Sequence, residues 1–195
     1  MDRGQAHTLE AFIAAILLIS AVIFATQATA VTPLSASTSN QHIENQLRAT
    51  ADDLLAVEAE AGTLRDAVVY WNTSNREFAG APEEGYFANG GPPNDFGAAL
   101  NETFRDRSIA FNVYVTYQRV NDSRTTRMVY MGSPSDNAVS ASQTVYLYNE
   151  TMLTGPQDVT VSDASTESEF YRGISNASEG ELFNVVEVRL VVWRM

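Results

Sequence analysis

Residue types that build active sites are absent or scarce in this sequence, which has no cysteine, no lysine and only two histidines. Without cysteine the chain has no disulfide framework, no thiol nucleophile and no cysteine-ligated metal. His7 and His42 lie in different segments, so they assemble neither a histidine-centred triad nor a multi-histidine metal site. The Gly90-Gly91 pair precedes two prolines, which excludes a phosphate-binding loop there. We therefore expect no enzyme activity, no metal and no cofactor.

Basic residues are also scarce, because 12 arginines stand against 24 acidic residues and give a net charge of -12. A strongly acidic surface repels phosphates, so we expect no nucleic acid partner. Concentrated salt shortens the Debye length and screens repulsion between carboxylates, whose hydration still keeps a protein soluble. The use of arginine without lysine and the excess of acid resemble proteins of halophilic archaea, and this resemblance implies salt adaptation.

One long apolar run covers residues 11–31, AFIAAILLISAVIFATQATAV, and contains no charged residue. A helix of this length rises about 30 Å, which is the thickness of the hydrocarbon core of a bilayer. The run is apolar on all sides as far as Ser20 and lacks the polar face of an amphipathic core helix. It therefore predicts a transmembrane helix. A cleaved secretory signal is the alternative, because the small residues at 25–30 offer a cleavage site.

The flanks of this run predict its orientation. Arg3 precedes it, and an acidic region with five Asn-x-Ser/Thr triplets follows it. Basic flanks remain in the cytoplasm and glycan acceptors lie outside, so we expect a single-pass protein of the cell membrane with a cytoplasmic N-terminus. The triplets make the outer part a candidate glycoprotein. The predicted acceptors are Asn72, Asn101, Asn121, Asn149 and Asn176, of which Asn121 and Asn176 are the better ones because they lie in predicted turns.

The residues directly before the apolar run are Arg3, Gly4, Gln5 and Ala6, followed by a few polar residues. This arrangement resembles the class III signal peptide of archaeal type IV pilins and archaellins, and residues 3–38 resemble a pilin-like family of halophilic archaea. The resemblance implies that a prepilin peptidase cuts between Gly4 and Gln5 on the cytoplasmic side. The apolar helix would then stay on the mature chain and pack against other pilin-like subunits.

Glu10 places a carboxylate at the edge of the apolar helix, where burial in lipid without a partner is costly. The resemblance to pilins implies an assembly role, in which this carboxylate pairs with the terminal amine of a neighbouring subunit. After cleavage at Gly4, however, Glu10 is the sixth mature residue, whereas the bacterial pilin glutamate is the fifth. The alternative is a glutamate that lies in the headgroup layer.

Beyond the span, the sequence predicts an amphipathic stalk helix and then a β-rich head. Pro33 predicts a kink or a restart of the helix, and Thr63 predicts a cap for a further turn. We expect Trp71 to pack in the core, with carbohydrate stacking as the alternative. The predicted domains are a prepilin-like leader and cleavage region (1–10), a transmembrane helix (11–31), the stalk (32–74) and an extracellular head (75–195).

Alternating apolar residues between 109 and 131 predict a β-hairpin in the head, after a surface loop at 75–97 that is rich in glycine, proline and acid. Further strands are predicted at 138–148, 157–162 and 183–192. The predicted fold class is α+β, with a long N-terminal membrane and stalk helix followed by a small antiparallel β-sheet head, as in pilins.

Together these patterns predict a membrane-anchored surface protein. The resemblance implies a pilin-like subunit, minor or accessory, of a type IV pilus-like filament for adhesion or surface contact. The alternative is a membrane-tethered extracellular binding domain that does not polymerise. A cleaved, secreted enzyme is a third reading, for which the sequence offers no catalytic residues.

Overall fold

The computed structural model describes residues 2–166, 170–171, 173–176 and 180–195, with side chains in these ranges except at 2–6 and 27–40. The described residues include the α-helices α1 (Asp2–Ala61), α2 (Thr63–Val68), α3 (Asp95–Thr103) and α4 (Val161–Thr166), and a 3-10 turn at Arg105–Arg107. The strands are β1 (Trp71–Asn72), β2 (Glu77–Phe78), β3 (Ile109–Gln118), β4 (Ser123–Tyr130), β5 (Val139–Tyr148) and β6 (Leu182–Arg194).

The main sheet has the strand order β4-β3-β6-β5, and each neighbouring pair is antiparallel. β3 and β4 form the predicted hairpin, and β6 lies between β3 and β5. β1 and β2 form a separate two-stranded sheet. A long N-terminal helix followed by antiparallel sheets confirms the predicted α+β class. The side chains on the buried face of the main sheet include Phe111, Val113, Val115, Val145, Leu147, Val186, Val188 and Leu190.

α1 is helical without interruption from Asp2 to Ala61, so the predicted restart at Pro33 is wrong. Proline lacks one backbone donor, but its fixed φ of about -65° is close to the helical value. One missing hydrogen bond therefore does not end a helix that has many others.

The chain divides into two compact units, one up to Ile43 and the other from Glu44 onward. In the second unit the last part of α1 contributes Ala51, Leu54 and Leu55 to the core. These residues confirm the apolar stripe that their spacing of three and four predicts. The C-terminal part of the predicted stalk thus belongs to the same unit as the sheet.

Residues 157–162 do not form the predicted strand. The chain makes one isolated bridge, between Met152 and Thr160, and then enters α4. The Thr160 hydroxyl accepts a hydrogen bond from the amide of Asp163 at 3.1 Å and donates one to the Asp163 carboxylate at 2.8 Å. This reciprocal cap satisfies a backbone donor in the first turn of the helix and favours helix over strand.

The start of α2 also differs from the prediction. The N-cap is Gly62, which has no side chain to bond, and Thr63 is the first helical residue. The Thr63 hydroxyl instead bonds to the carbonyl oxygen of Glu58 at 3.1 Å. Leu64, Ala67 and Val68 are buried, so α2 is held by its apolar face rather than by a capping side chain.

Candidate membrane segment and head cavity

Among the described residues, one segment is long and apolar enough to cross a membrane, His7–Thr26. None of its side chains is buried, and Phe12, Leu18 and Phe24 are between 66% and 75% exposed. Leaving a large apolar side chain in water forfeits about 1.5–3 kcal/mol relative to burial. The segment therefore requires an apolar environment, and it is compatible with a membrane anchor or a signal sequence.

Two hydroxyl groups within this segment are satisfied by the helix itself. Ser20 donates to the carbonyl oxygen of Ile16 at 2.8 Å. Thr26 bonds to the carbonyl oxygens of Val22 and Ile23 at 3.1 and 2.9 Å. A bilayer core has no water to replace a missing hydrogen-bond partner, so an unbonded hydroxyl is costly there. Hydroxyl groups that bond within their own helix avoid this cost.

The predicted processing residues Arg3, Gly4, Gln5 and Ala6 lie at the beginning of α1, and their side chains are outside the described part. The first four amide groups of a helix have no partner within it. Cleavage itself remains a prediction.

Glu10 lies beside His7, a neighbour that the sequence analysis did not consider. The His7 Nδ1 and the Glu10 Oε2 are 3.8 Å apart, and both side chains are 82% exposed. Residues three positions apart on a helix are neighbours, so the sequence spacing of His7 and Glu10 predicts this contact. An exposed pair of this kind contributes little to stability, so the carboxylate stays available to another partner. The proposed roles of Glu10, in assembly or in the headgroup layer, remain predictions.

Three of the predicted glycan acceptors differ in how firmly their side chains are engaged. Asn121 is exposed in the turn between β3 and β4, as predicted. Asn176 is also exposed, but its Nδ2 donates to the Oδ1 of Asn149 at 3.0 Å. The Nδ2 of Asn149 donates in turn to the carbonyl oxygen of Gly180 at 2.9 Å. Because a glycan is attached through Nδ2, Asn121 is the best placed of these three acceptors.

The remaining two acceptors organise loops. The Asn72 Oδ1 accepts hydrogen bonds from the amides of Ser74 and Asn75 and from the Nε2 of Gln157. The Asn101 Oδ1 accepts from the amide of Gly91 at 3.0 Å. Both side chains are half-buried, so each has a structural role that is independent of any glycan. Glycosylation at all five positions remains a prediction.

The head contains a cavity of about 290 Å³ with an aromatic floor and a charged rim. The floor is formed by Trp71, Tyr117 and Tyr171, which are each at most 3% exposed. Trp71 stacks on Tyr171 with ring centroids 4.5 Å apart. The rings therefore pack against one another, which confirms Trp71 as a core residue and leaves little ring surface for a sugar. The rim is formed by Arg76, Glu77, Glu83, Glu84 and Arg124.

Tyr171 is the phenol of this floor whose pKa is clearly shifted. Burial raises the pKa of its phenol well above the ordinary value, and the neighbouring Tyr117 raises it further. The phenol is thus neutral, and its proton is engaged with the carbonyl oxygen of Val68 at 2.7 Å. A neutral phenol with an engaged proton is a packing group rather than an acid or base. Within the described ranges, no three acidic or histidine side chains are grouped so as to hold a metal ion.

Sequence reasoning did not bring these cavity residues together. Tyr117 lies on β3, Tyr171 follows α4 and Trp71 begins β1, so only the fold makes them neighbours.

Comparison with known proteins adds one match: the model of a family of unknown function (DUF7288) matches residues 3–192. No curated protein and no solved structure matches the chain.

Proposed function

We propose that this chain, which belongs to the family of unknown function DUF7288, is a membrane-anchored surface protein and a pilin-like subunit of a type IV pilus-like filament. The observation that carries the proposal is the exposed apolar helix His7–Thr26 directly after the Arg3-Gly4-Gln5-Ala6 sequence. An anchor of this kind is joined to a folded α+β head from Glu44 onward. The subunit is minor or accessory, and the filament serves adhesion or surface contact.

The proposed partners follow from the same segment. The lipid bilayer covers the apolar helix before assembly, because every large side chain on it is exposed in the single chain. A prepilin peptidase removes the residues up to Gly4. The helices of neighbouring subunits then replace lipid, since close packing between helices satisfies the same apolar surface. The head remains outside the cell, where the exposed Asn121 is the best placed of its predicted glycan acceptors.

The test is the mature N-terminus, read by mass spectrometry on the membrane fraction and on material shed from the surface. The proposal expects a terminus at Gln5, and it expects a Gly4→Asp variant to keep its leader. An Asp2→Asn variant is the matched control, because it changes charge in the leader without changing the residue before the cleaved bond.

Each other outcome replaces the proposal with a specific reading. A terminus at Met1 or Asp2 in a membrane-bound chain leaves a tethered extracellular domain that does not enter a filament. A terminus near Thr32 in a shed chain identifies residues 11–31 as a secretory signal.

A further inference from the structure

The face of the main sheet opposite the core carries a cluster of tyrosines and arginines, which we name the tyrosine–arginine face: Tyr114, Arg127, Tyr130 and Arg189 on its strands, and the loop residue Tyr86, which packs against Tyr130. Tyr114 on β3 is paired with Arg127 on β4 and with Arg189 on β6. The Arg127 guanidinium carbon lies 4.2 Å from the centroid of the Tyr130 ring. That of Arg189 lies 5.2 Å from the centroid of the Tyr114 ring. Both guanidinium groups are thus held in place by aromatic rings.

Neither guanidinium has an anionic partner within the part of the chain that the structure describes. The ion pairs there involve His7, Arg65 and Arg119 instead. This is unexpected in a chain with 24 acidic and 12 basic residues, where carboxylates are abundant. Arg127 and Arg189 are both exposed, so their N–H groups remain available to acceptors outside the chain.

Tyr114, between the two arginines, is held by Asn112, which lies two residues earlier on β3 and on the same face of the sheet. Its hydroxyl accepts a hydrogen bond from the Nδ2 of Asn112 at 3.1 Å. Asn112 is fully buried, donates to the carbonyl oxygen of Gly132 at 2.9 Å and accepts from the amide of Met131 at 2.8 Å. A buried amide satisfied on both sides is a rigid support. The Tyr114 ring, on which Arg189 lies, therefore has one defined position.

The exposed face of α1 in the second unit has the complementary charge. Opposite the buried residues Ala51, Leu54 and Leu55 lie Ala49, Asp53, Ala56 and Glu60, all exposed. Their spacing of four, three and four places them on one line along the helix. The line alternates a small residue with a carboxylate, and no ion pair forms on either carboxylate within the described residues.

The two charge pairs have matching separations. Asp53 and Glu60 are two helical turns apart, which is about 10 Å along the axis. Arg127 and Arg189 lie on strands separated by β3, which is also about 10 Å across the sheet. Ala56 between the carboxylates, and Ala49 one turn before Asp53, let another backbone approach closely. A helix laid across the strands therefore brings each carboxylate to one guanidinium.

We propose that the tyrosine–arginine face docks onto the Ala49–Glu60 face of α1 in a second copy of this chain. Two copies each carry a net charge of -12, so a region where opposite charges meet is favoured over the rest of the surface as the place of contact. This contact deepens the proposed function, on which it rests, because it joins the heads of subunits that the N-terminal helices assemble.

Disulfide cross-linking tests this contact directly, because the chain has no cysteine of its own. One tagged full-length copy carries Ala49→Cys, one helical turn beyond Asp53, and a second copy with a different tag carries Ser142→Cys, one strand beyond Arg189. Ser142 is exposed and lies opposite Arg189 in the sheet. Co-expression in membranes followed by mild oxidation is expected to give a mixed dimer. The matched control replaces Ser142→Cys with Ser74→Cys, which is exposed outside this face, and is expected to reduce that dimer at least tenfold.

Charge exchange then identifies the partner. Arg127→Glu with Arg189→Glu on the Ser142→Cys copy is expected to lower the mixed dimer at least tenfold, with circular dichroism unchanged. Asp53→Arg with Glu60→Arg on the other copy is expected to restore it. Arg107→Glu, at an exposed arginine outside this face, is the control and leaves cross-linking unchanged.

The contradicting results are separate from those of the proposed function. Equal cross-linking by the Ser142→Cys and Ser74→Cys copies overturns the contact, even when the mature terminus is at Gln5. Loss of the dimer without restoration by charge exchange also overturns it and assigns the face to another acidic ligand, such as an anionic glycan. A specific dimer from chains that keep Met1 supports the contact and contradicts the prepilin processing of the proposed function.

Discussion

The hydroxyl of Tyr171 donates a hydrogen bond to the carbonyl oxygen of Val68, 2.7 Å away, and so connects the segment after α4 with the last residue of α2. Tyr171 is 1% exposed and has a φ of 44°, which is uncommon for a residue other than glycine. Its ring also contacts Trp71 and Phe78. The aromatic packing and the hydrogen bond together hold this residue in a backbone conformation that it would otherwise avoid.

Replacement of Tyr171 by phenylalanine keeps the ring and removes the hydrogen bond. We expect the free energy of unfolding to fall by about 1–3 kcal/mol, because the Val68 carbonyl loses a partner in a buried environment. Urea denaturation monitored by tryptophan fluorescence measures the change. Tyr146→Phe is the control, since Tyr146 is 55% exposed and is expected to cause no loss. Equal stability of Tyr171→Phe and the parent chain contradicts the role of this bond.

The same residue predicts how stability depends on alkaline pH. The pKa of Tyr171 is raised in the folded chain, chiefly by burial, so the folded state retains a proton that the unfolded state releases near pH 10. Stability is therefore fully present below about pH 10 and falls as pH increases above it. Unfolding midpoints measured across this range in the parent chain and in Tyr171→Phe are expected to differ, with a shallower decline in the variant. Parallel declines would show that another group is responsible.

Gly97 lies within α3, where alanine is normally the better residue. Here a methyl group would overlap the carbonyl oxygen of Pro92, which packs against the helix backbone. In an exposed helix, glycine to alanine usually raises the free energy of unfolding by about 0.5–1 kcal/mol. Here we expect Gly97→Ala to lower it by about 2–3 kcal/mol, because the added methyl group overpacks the site. Gly85→Ala is the control for backbone strain alone, because Gly85 has a φ of 78° and open space around it. A stabilised Gly97→Ala chain contradicts the close approach.

Asn94 begins α3 by accepting a hydrogen bond from the amide of Gly97 at 3.0 Å. Its Nδ2 is buried and has no hydrogen-bond partner. Asn94→Ala is expected to lower the free energy of unfolding by about 1 kcal/mol, because the cap is lost. Asn94→Ser keeps an acceptor oxygen and removes the unpaired amide, so we expect it to be at least as stable as the parent chain. Thermal unfolding of the three chains decides the order, and a serine variant no better than alanine would contradict the capping role.

The strands could be predicted because one side of the main sheet is buried. Val113 and Val115 on β3 and Val186, Val188 and Leu190 on β6 recur at every second position, which is the period of a strand with one covered face. The same reasoning failed at α4, where the valines around Thr160 favoured a strand. Thr160 and Asp163 form a capping pair that the sequence displays, and this local signal was the stronger one.

α3 and the tyrosine–arginine face were not predicted, for a different reason. α3 contains Gly97, a poor helix former that is required by the approach of Pro92, so propensity gave the wrong signal. The tyrosine–arginine face depends on strand register. A register shift between Val113 and Tyr114 places Arg127 opposite Tyr114, and no spacing within one strand reveals it. Contacts that arise from pairing between distant strands become visible only in the fold.

The apolar segment gives the last prediction, which separates an anchor from other uses of this helix. Leu17 lies near the middle of His7–Thr26 and is 64% exposed. An arginine at the centre of a spanning helix costs about 2.5–3.5 kcal/mol on insertion. We therefore expect Leu17→Arg to move a large part of the full-length chain from the carbonate-resistant membrane pellet to the soluble or degraded fraction. Ser74→Arg adds the same charge to an exposed head position and is expected to leave the pellet unchanged. If both variants remain in the pellet to the same extent, the central arginine carries no insertion cost, and this contradicts the anchoring role of the segment.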